Sequence, residues 1–479
     1  MSVPSASVKK GFQCSQFHRV REQELAQHFV KGLCDTLQLR DGGASIKPAK
    51  SSFFVPSLVS LCADTIAKNF VEITEVDSLA SLNRDLYELV IERLSPELPL
   101  KVSVPRVHCE KYWRRCCETR WSFGQLSEGT QGKLVARGPH GWKQFFLERL
   151  LRDFLTSLKE PVLSKEDEHR LEELCVVSRD FVYSIELPCQ VAHLDLYEAV
   201  LSRLPHVTSL SLSYSVCNVG ISFEWDMIGF TEEDALSLRY ILKRYAPLTS
   251  LRLPGNRLNS TLLKGIISGA VRNTSIKVLD FSCNRIDDDG VKSLALLLCK
   301  EDLPLEELYL NDNVICGAGA VAIGDALTMN KTLRVLNLRL NRIPDEDGGV
   351  SLIKGIASHT ALKILDISHN ILGEATSRAL AEALPEQSSL LSLNVSGNKE
   401  LGSTTGELLL EGLRKNKSLR FFDSRSSGLS PEHVAAMESH IRAVVHLDKM
   451  NDVHMKDAKA REMTQREVEE KLSKVISFH

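Results

Sequence analysis

The chain of 479 residues is too long for a single compact core, so two or more folding units are expected. Its composition is that of an ordinary soluble protein, with 43% hydrophobic and 25% charged residues. Acidic and basic residues nearly balance, and the formal net charge is −3. This balance excludes a global electrostatic attraction to nucleic acid or to an anionic membrane.

The sequence predicts neither a secretion signal nor a membrane span. The N-terminal stretch MSVPSASVKKGFQCSQ lacks the apolar run of a signal peptide. The longest apolar runs, such as 294–299, are far below the roughly 20 residues that a bilayer requires. Twelve cysteines are scattered without a CxxC pair, which predicts buried thiols in a reducing compartment. We therefore expect an intracellular protein.

The first part of the chain is predicted to be a tail followed by helices. Residues 1–50, rich in Ser, Lys and Gly with one helical stretch near 23–37, are predicted to be a mobile N-terminal segment. Residues 51–200 are predicted to form an α-helical N-terminal domain, with a glycine-rich loop over 124–140. Three apolar stripes at helical spacing mark this domain: Leu58, Cys62, Ile66 and Phe70; Leu79, Leu82, Leu86, Leu89 and 91–94; Trp142, Phe145, Phe146, Leu150, Leu151, Phe154 and Leu158.

The most distinctive local cluster in this domain is YWRRCCETRW over 112–121. Two interpretations apply to it: a zinc site, or a buried aromatic core with flanking arginines. Cys116 and Cys117 are adjacent, so both cannot easily bind one zinc ion, and no matching pair follows. We therefore expect the aromatic core.

From residue 248 onward one pattern, LxxLxLxxNxL, recurs six times. The asparagines of the pattern are separated by 28, 29, 28, 29 and 28 residues, at Asn256, Asn284, Asn313, Asn341, Asn370 and Asn398. Regular spacing of this kind is the signature of a repeat architecture.

The spacing also predicts the structure of each repeat. The two leucines of LxL lie on one face of a short strand, because strand side chains alternate with period two. The asparagine lies in the following turn, where its amide can bond backbone groups of the neighbouring coil. The remainder of each repeat is predicted to be a helix, as in 289–298 with its acidic start. Such units must stack to bury their apolar edges.

The fold prediction is therefore an α/β leucine-rich-repeat solenoid over 201–440, preceded by the α-helical domain. The alternating 28- and 29-residue repeats resemble the ribonuclease-inhibitor class. The imperfect repeats at 207–212 and 419–424 are predicted to be the first and last strands, giving about eight strands.

Residues 441–479 are predicted to form a charged C-terminal helix. Its apolar residues Val468, Leu472 and Val475 form only a narrow stripe. Two interpretations stay open: an exposed helix that meets a partner, or a helix packed back on the solenoid.

The sequence carries no motif of an enzyme or of a cofactor site. It has no GxxxxGK[ST] phosphate loop, no GxGxxG after a strand, no HExxH and no clustered Cys/His spacing. The acidic run 287–289 favours a helix N-terminus over a metal site. His140 and His369 have no evident nucleophile partner. We predict a non-enzymatic protein without cofactor, metal or small-molecule substrate.

What remains is a protein-binding surface on the concave face of the solenoid. The residue between the two apolar positions of LxL faces outward there, in the row Arg252, Asp280, Tyr309, Asn337, Asp366, Asn394 and Asp423. The next row outward is Pro254, Ser282, Asn311, Arg339, Ser368 and Ser396. Both rows are polar with charges of both signs, which suits a protein ligand bound across several repeats. The alternative is a solvated face without a partner.

Beyond the repeats, the chain resembles the dynein regulatory complex subunit 5 family, also called t-complex-associated testis-expressed protein 1. The likeness is collinear from about 52 to 425 and departs in the N-terminal tail, the 124–137 insertion and the C-terminal helix. The segments that carry it are 55–62 (VPSLVSLC), 68–70 (KNF), 94–100 (LSPELPL), 112–121 (YWRRCCETRW), 142–149 (WKQFFLER), 223–225 (FEW), 230–231 (FT), 236–238 (LSL) and 337–341 (NLRLN).

This resemblance implies a structural subunit of the nexin–dynein regulatory complex, which links outer doublet microtubules in motile cilia and flagella. The implied partners are other subunits of that complex and, indirectly, the doublet microtubules and inner dynein arms. The implied location is the axoneme, within the cytoplasm and cytoskeleton. A Ran-type GTPase-activating protein is the alternative, but its strongly acidic C-terminal tract is missing. An innate-immune receptor would usually carry a nucleotide-binding module, and no phosphate loop is present.

Overall fold

The computed structural model describes residues 57–73, 84–122, 141–215, 228–402 and 404–447. The chain forms two compact units, 1–62 and 63–479. The first unit is described only over 57–62, the start of the helix Leu58–Lys68. The predicted mobile segment 1–50, the predicted loop 124–140 and residues 448–479 of the predicted C-terminal helix lie outside the described residues.

The second unit is built on a parallel sheet of nine strands that follow one another in chain order. The leucine between the flanking strand residues pairs with its equivalent in the next repeat, as Leu308 does with Leu336. The strands are β1 Ser184–Gln190, β2 Ser209–Tyr214, β3 Ser250–Arg252, β4 Val278–Asp280, β5 Glu307–Tyr309, β6 Val335–Asn337, β7 Ile364–Asp366, β8 Ser392–Asn394 and β9 Phe421–Asp423.

A helix follows each strand from β2 to β8 and packs on the helix of the next repeat. Residues 431–447, after β9, are also helical. A π-helical turn, Asp345–Gly349, leads into the helix Val350–Ser358. The repeat helices are α7 Glu232–Arg244, α8 Ser260–Ala270, α9 Asp288–Leu298, α10 Gly317–Met329, α11 Val350–Ser358, α12 Glu374–Ala383 and α13 Gly406–Lys415. The leucine-rich-repeat solenoid predicted from the asparagine spacing is confirmed.

The described residues before β1 are mainly helical, as predicted, and a π-helical turn, Tyr197–Leu201, follows that strand. The third apolar stripe lies on the helix Gly141–Ser157, except for Leu158 directly after it, and Phe70 of the first stripe lies in the turn after the helix Leu58–Lys68. The helices are α1 Leu58–Lys68, α2 Arg84–Arg93, α3 Leu100–Arg106, α4 Glu110–Arg120, α5 Gly141–Ser157 and α6 Lys165–Ser178. Within the described residues no helix is long and apolar enough to cross a membrane.

The sheet begins earlier than the sequence predicted. The strand expected first, near 207–212, is β2, and the true first strand lies inside the range assigned to the helical domain. The edge of β1 is held by α5, because the buried carboxylate of Glu148 accepts hydrogen bonds from the backbone N–H groups of Tyr183 (3.0 Å) and Ser184 (2.9 Å). The count of about eight strands was therefore wrong by one.

Three of the repeat helices, α7, α8 and α9, begin at a residue whose side chain caps them. Asn259 accepts a hydrogen bond from the N–H of Leu262 and thereby caps α8. Asp287 accepts from the N–H groups of Asp289 and Gly290 at the start of α9. The acidic run 287–289 is thus a helix N-terminus, as predicted, and its carboxylates satisfy otherwise unpaired donors.

The cluster over 112–121 is the aromatic core that the sequence predicted. Tyr112 and Trp113 are almost fully buried, and their rings meet edge to face at 5.2 Å. Cys117 is fully buried, and burial raises the pKa of its thiol. Across the described residues, no group of three or more His, Cys, Asp or Glu side chains is arranged to hold a metal ion.

The cysteine prediction holds only in part. Cys116, Cys117 and Cys175 are buried free thiols. Cys283 and Cys299 are free thiols too, but they are exposed. Cys189 is disulfide-bonded, which departs from the prediction of thiols throughout.

Candidate protein-binding surface

A ladder of buried asparagines fixes the turn after each repeat strand. The Asn284 side chain accepts hydrogen bonds from the N–H groups of Asn256 (2.9 Å) and Leu258 (3.0 Å) in the preceding repeat. Its amide donates to the carbonyl of Leu253 in that repeat (2.9 Å). Asn313, like the other members of the ladder, bonds backward in the same way. The predicted role of the asparagines is confirmed, and it holds the neighbouring strand residues in strict register.

The N-terminal half of the predicted concave row forms a connected set of side chains. Arg252 lies 3.4 Å from the carboxylate of Asp280 in the next repeat. The same guanidinium lies 5.6 Å from the ring centroid of Tyr309, one repeat further on. The Tyr309 hydroxyl donates to Glu307 (3.0 Å). Burial, assisted by that carboxylate, raises the pKa of Tyr309 to about 12. Three of the predicted residues are therefore brought together on one face.

The C-terminal half of the row is uncharged or acidic. The amide of Asn394 donates to the carboxylate of Asp366 on the neighbouring strand (3.2 Å). Asn337, in the middle of the row, accepts from the N–H of Arg339 (3.0 Å). Asp366, Asn337 and Asn394 are all half-buried, so one side of each stays open to a ligand.

The last member of the row differs from the others. Asp423 is buried, because Arg425 of its own turn covers it with hydrogen bonds of 2.9 and 2.6 Å. These bonds hold the pKa of the Asp423 carboxyl below its usual range. Asp423 is in register with Asn394 of the same row, but Arg425 covers it, so it is not open to a ligand as the sequence predicted.

The second predicted row is also only partly outward. Ser282, Ser368 and Ser396 are buried. The hydroxyl of Ser368, for example, donates to Asp366 (2.6 Å). Arg339 is exposed, as predicted. The serines thus orient the first row rather than present themselves to a partner.

Sequence reasoning missed an ionic ladder just before the strands. Glu306 bonds Lys277 of the preceding repeat (3.1 Å) and Arg334 of the next (3.4 Å). The signal was present, because these residues occupy one position of successive repeats with alternating sign. The pairs are partly exposed, so each contributes roughly 0–1 kcal/mol to stability. Their main effect is to fix the charge pattern at this edge of the face.

His369, considered above for catalysis, lies exposed in the turn after β7. Its backbone has a φ of 54°, in the left-handed region, and its N–H donates to the carbonyl of Ser396 (2.8 Å). The backbone of His369 is therefore part of the regular turn of its repeat. His140 lies outside the described residues.

Comparison with known proteins supports the repeat assignment. The family described as "Leucine Rich repeat" matches residues 272–295 and 330–350. Dynein regulatory complex subunit 5 of Homo sapiens is 31% identical over 279 residues, which cover 52% of this chain and 52% of that protein. The protein of the same name from Chlamydomonas reinhardtii is 31% identical over 205 residues, covering 43% of this chain and 49% of that protein. The chain thus spans about half the length of these curated relatives.

Among solved structures, the complex of Rad7 and Elc1 from yeast covers 68% of this chain and 83% of its own, at 16% identity and a TM-score of 0.32. The structural similarity at this TM-score is too low to indicate a shared function. The fold rests instead on the chain's own strands, helices and asparagine ladder. The chain is therefore a leucine-rich-repeat protein, and its sequence is similar to that of dynein regulatory complex subunit 5.

Proposed function

We propose that the chain is a non-enzymatic structural subunit of the nexin–dynein regulatory complex in motile cilia and flagella. In this role it is a protein-binding scaffold in the link between outer doublet microtubules, and it helps to regulate dynein-driven motility. The observation that carries the proposal is the 31% identity to proteins named dynein regulatory complex subunit 5 in species as different as a mammal and an alga.

The geometry of the solenoid supports a holding role. The ladder asparagines and the parallel strands fix the concave side chains in a regular array before any ligand arrives. A rigid array loses little conformational entropy on binding, which favours recognition of a protein surface. Arg252, Tyr309, Asn337 and Asp366 on this face offer donors, acceptors and both signs of charge. Such a mixture favours specificity for one partner.

The test of the proposal is the location of a tagged copy in a motile ciliated cell. The expected result is signal along the axoneme that resists detergent and is released only with other subunits of the linker. A diffuse cytoplasmic signal, or one at the nuclear envelope, would contradict the proposal. In that case stimulation of GTP hydrolysis becomes the next assay, because a Ran-type activator is the remaining alternative.

The binding face is tested separately by charge reversal at its centre. Arg339→Glu is expected to weaken incorporation into the complex without changing the unfolding of the isolated protein, because Arg339 is exposed. The matched control is Arg239→Glu on the outer face of α7, where the arginine is also exposed. Equal incorporation of both variants would remove Arg339 from the binding face.

A further inference from the structure

A third row of side chains, distinct from the two rows described above, lies at the position directly after each ladder asparagine. We call this row the basic ridge. Its residues are Arg257, Arg285, Val314, Arg342, Ile371 and Lys399. Four of the six are basic and none is acidic, in a chain whose acidic residues slightly outnumber the basic ones.

Backbone hydrogen bonds hold the ridge in register. The N–H of Arg285 donates to the carbonyl of Leu258 in the preceding repeat (2.9 Å), and that of Arg342 donates to Ile315 (2.9 Å). The N–H of Ile371 makes the equivalent bond to Ile343 (3.0 Å). One ridge residue per repeat therefore lies in line, at about the 4.8 Å spacing of neighbouring strands.

Four of the six ridge residues are exposed to solvent, and Arg257 and Val314 are half-buried. Arg285, Arg342 and Lys399 are exposed, and the apolar side chain of Ile371 is 63% exposed. No ion pair formed within the described ranges 57–73, 84–122, 141–215, 228–402 and 404–447 uses Arg285, Arg342 or Lys399. Their charges are thus available to a ligand.

The acidic residues that follow Arg285 and Arg342 are engaged elsewhere, whereas Glu400, directly after Lys399, is exposed and lowers the net charge at that end of the ridge. Asp287, two residues after Arg285, accepts hydrogen bonds from Ser260 and from N–H groups at the start of α9. Asp345, three residues after Arg342, accepts from the N–H groups at the start of α12, at 2.8–3.0 Å. The positive ends of these helix dipoles therefore partly neutralise the two carboxylates.

An exposed acid divides the ridge between Arg285 and Arg342. Asp312 stands in the turn beside Val314, so the positive charge falls into two segments on either side. Arg257 and Arg285 form the first segment. Arg342 and Lys399 form the second, and Arg339 of the concave face extends it.

We infer that the basic ridge binds an extended acidic segment of a partner protein. The occupant is chosen by charge complementarity: the three exposed cations Arg285, Arg342 and Lys399 attract carboxylates, and the exposed Ile371 contacts an apolar side chain between them. The five repeat steps from Arg257 to Lys399 span about 24 Å, which roughly seven residues of extended chain would cover. The inference deepens the proposed scaffold role, on which it rests, by naming the chemistry of one partner.

The test uses the full chain and a fluorescent peptide of about eight glutamates, with glutamine and lysine peptides of equal length and a single-stranded RNA as comparisons. The glutamate peptide is expected to bind more tightly than the other three and to weaken as salt rises. Arg285→Glu with Arg342→Glu is expected to reduce that affinity about tenfold or more, through two reversed charges. Arg239→Glu with Lys354→Glu, two exposed residues of the outer helices, is the matched control.

Equal affinity of the ridge variant and the control variant would overturn the inference, as would glutamine binding equal to glutamate. Tighter binding of RNA than of the glutamate peptide would also overturn it, in favour of a nucleic-acid ligand. Circular dichroism of both variants establishes that the repeats are intact. If the tagged chain fails to reach the axoneme while ridge-dependent glutamate binding persists, the proposed function fails and the ridge stands. If the chain is retained on the axoneme but glutamate binding does not depend on the ridge, the ridge fails and the proposed function stands.

Discussion

The asparagine ladder gives the sharpest prediction about the fold, and Asn284→Ala is the perturbation. The Asn284 side chain is 8% exposed and joins two repeats. It accepts from the N–H groups of Asn256 and Leu258 and donates to the carbonyls of Leu253 and Phe281, all at 2.9–3.0 Å. Alanine removes both the acceptor and the donor.

The magnitude follows from the groups left behind. Two buried N–H groups lose their acceptor, and each unsatisfied buried group costs about 1–3 kcal/mol. The free energy of unfolding should therefore fall by about 2–6 kcal/mol. Asn311→Ala is the matched control, because Asn311 is half-buried on the face beside the ladder. It should change the free energy of unfolding by no more than about 0.5 kcal/mol.

The assay is urea denaturation followed by far-ultraviolet circular dichroism, with wild type and both variants measured together. The difference in urea midpoint between the two variants is the quantity to compare. Absolute free energies of unfolding are less useful, because stacked repeats need not unfold in two states. If Asn284→Ala and Asn311→Ala unfold at the same urea concentration, the ladder does not stabilise the solenoid and the reasoning is refuted.

Three further predictions use the same denaturation assay. Leu336→Ala truncates a fully buried strand residue and should cost about 2–5 kcal/mol; an unchanged midpoint would disprove the strand register. Gly355→Ala should destabilise by about 1–3 kcal/mol, because the added Cβ meets the Gly324 carbonyl, whereas Gly265→Ala has ordinary room and should not. Burial lowers the pKa of Lys143 to about 8. The free energy of unfolding of the wild type should therefore rise relative to that of Lys143→Met between pH 8 and 10.5. A difference that stays constant over this range would contradict the prediction.

The sign of the Lys143 effect follows from proton binding. Below pH 8 the amine is protonated in both states, and the folded protein bears the cost of a buried charge. Between pH 8 and 10.5 the unfolded chain binds more protons than the folded one, so stability increases with pH. Lys143→Met lacks this titration.

The repeat region could be predicted from sequence because its constraints are local and periodic. Leu308 and Leu336 lie in the strand core, and Asn284 and Asn313 bond backward as the pattern required. Each of these residues has the same surroundings one repeat later. A single-sequence pattern is sufficient where the structure repeats itself.

The first strand could not be predicted for the opposite reason. Ile185 and Leu187 alternate as a strand should, but Pro188 interrupts the run and no ladder asparagine follows. What defines β1 is a long-range contact, the Glu148 carboxylate that accepts the N–H of Ser184 from 36 residues away. No local pattern carries that information.

The sequence predicted which residues of the first row are neighbours, but it did not predict the burial of Ser368 and Asp423. Arg252, Asp280 and Tyr309 meet as neighbours because the strand period puts them on one face. The burial of Ser368 and the covering of Asp423 by Arg425 depend on turn geometry, which the alternation of strand side chains does not describe.

The central claim is that this solenoid holds protein partners within the dynein regulatory complex. Its most direct test is quantitative mass spectrometry of the proteins that co-purify with a tagged chain from detergent-washed, salt-extracted axonemes. We predict other subunits of the complex in near-equal amount with the wild-type chain, and in reduced amount with Arg339→Glu but not with Arg239→Glu. Recovery of the tagged chain without those subunits would contradict the account.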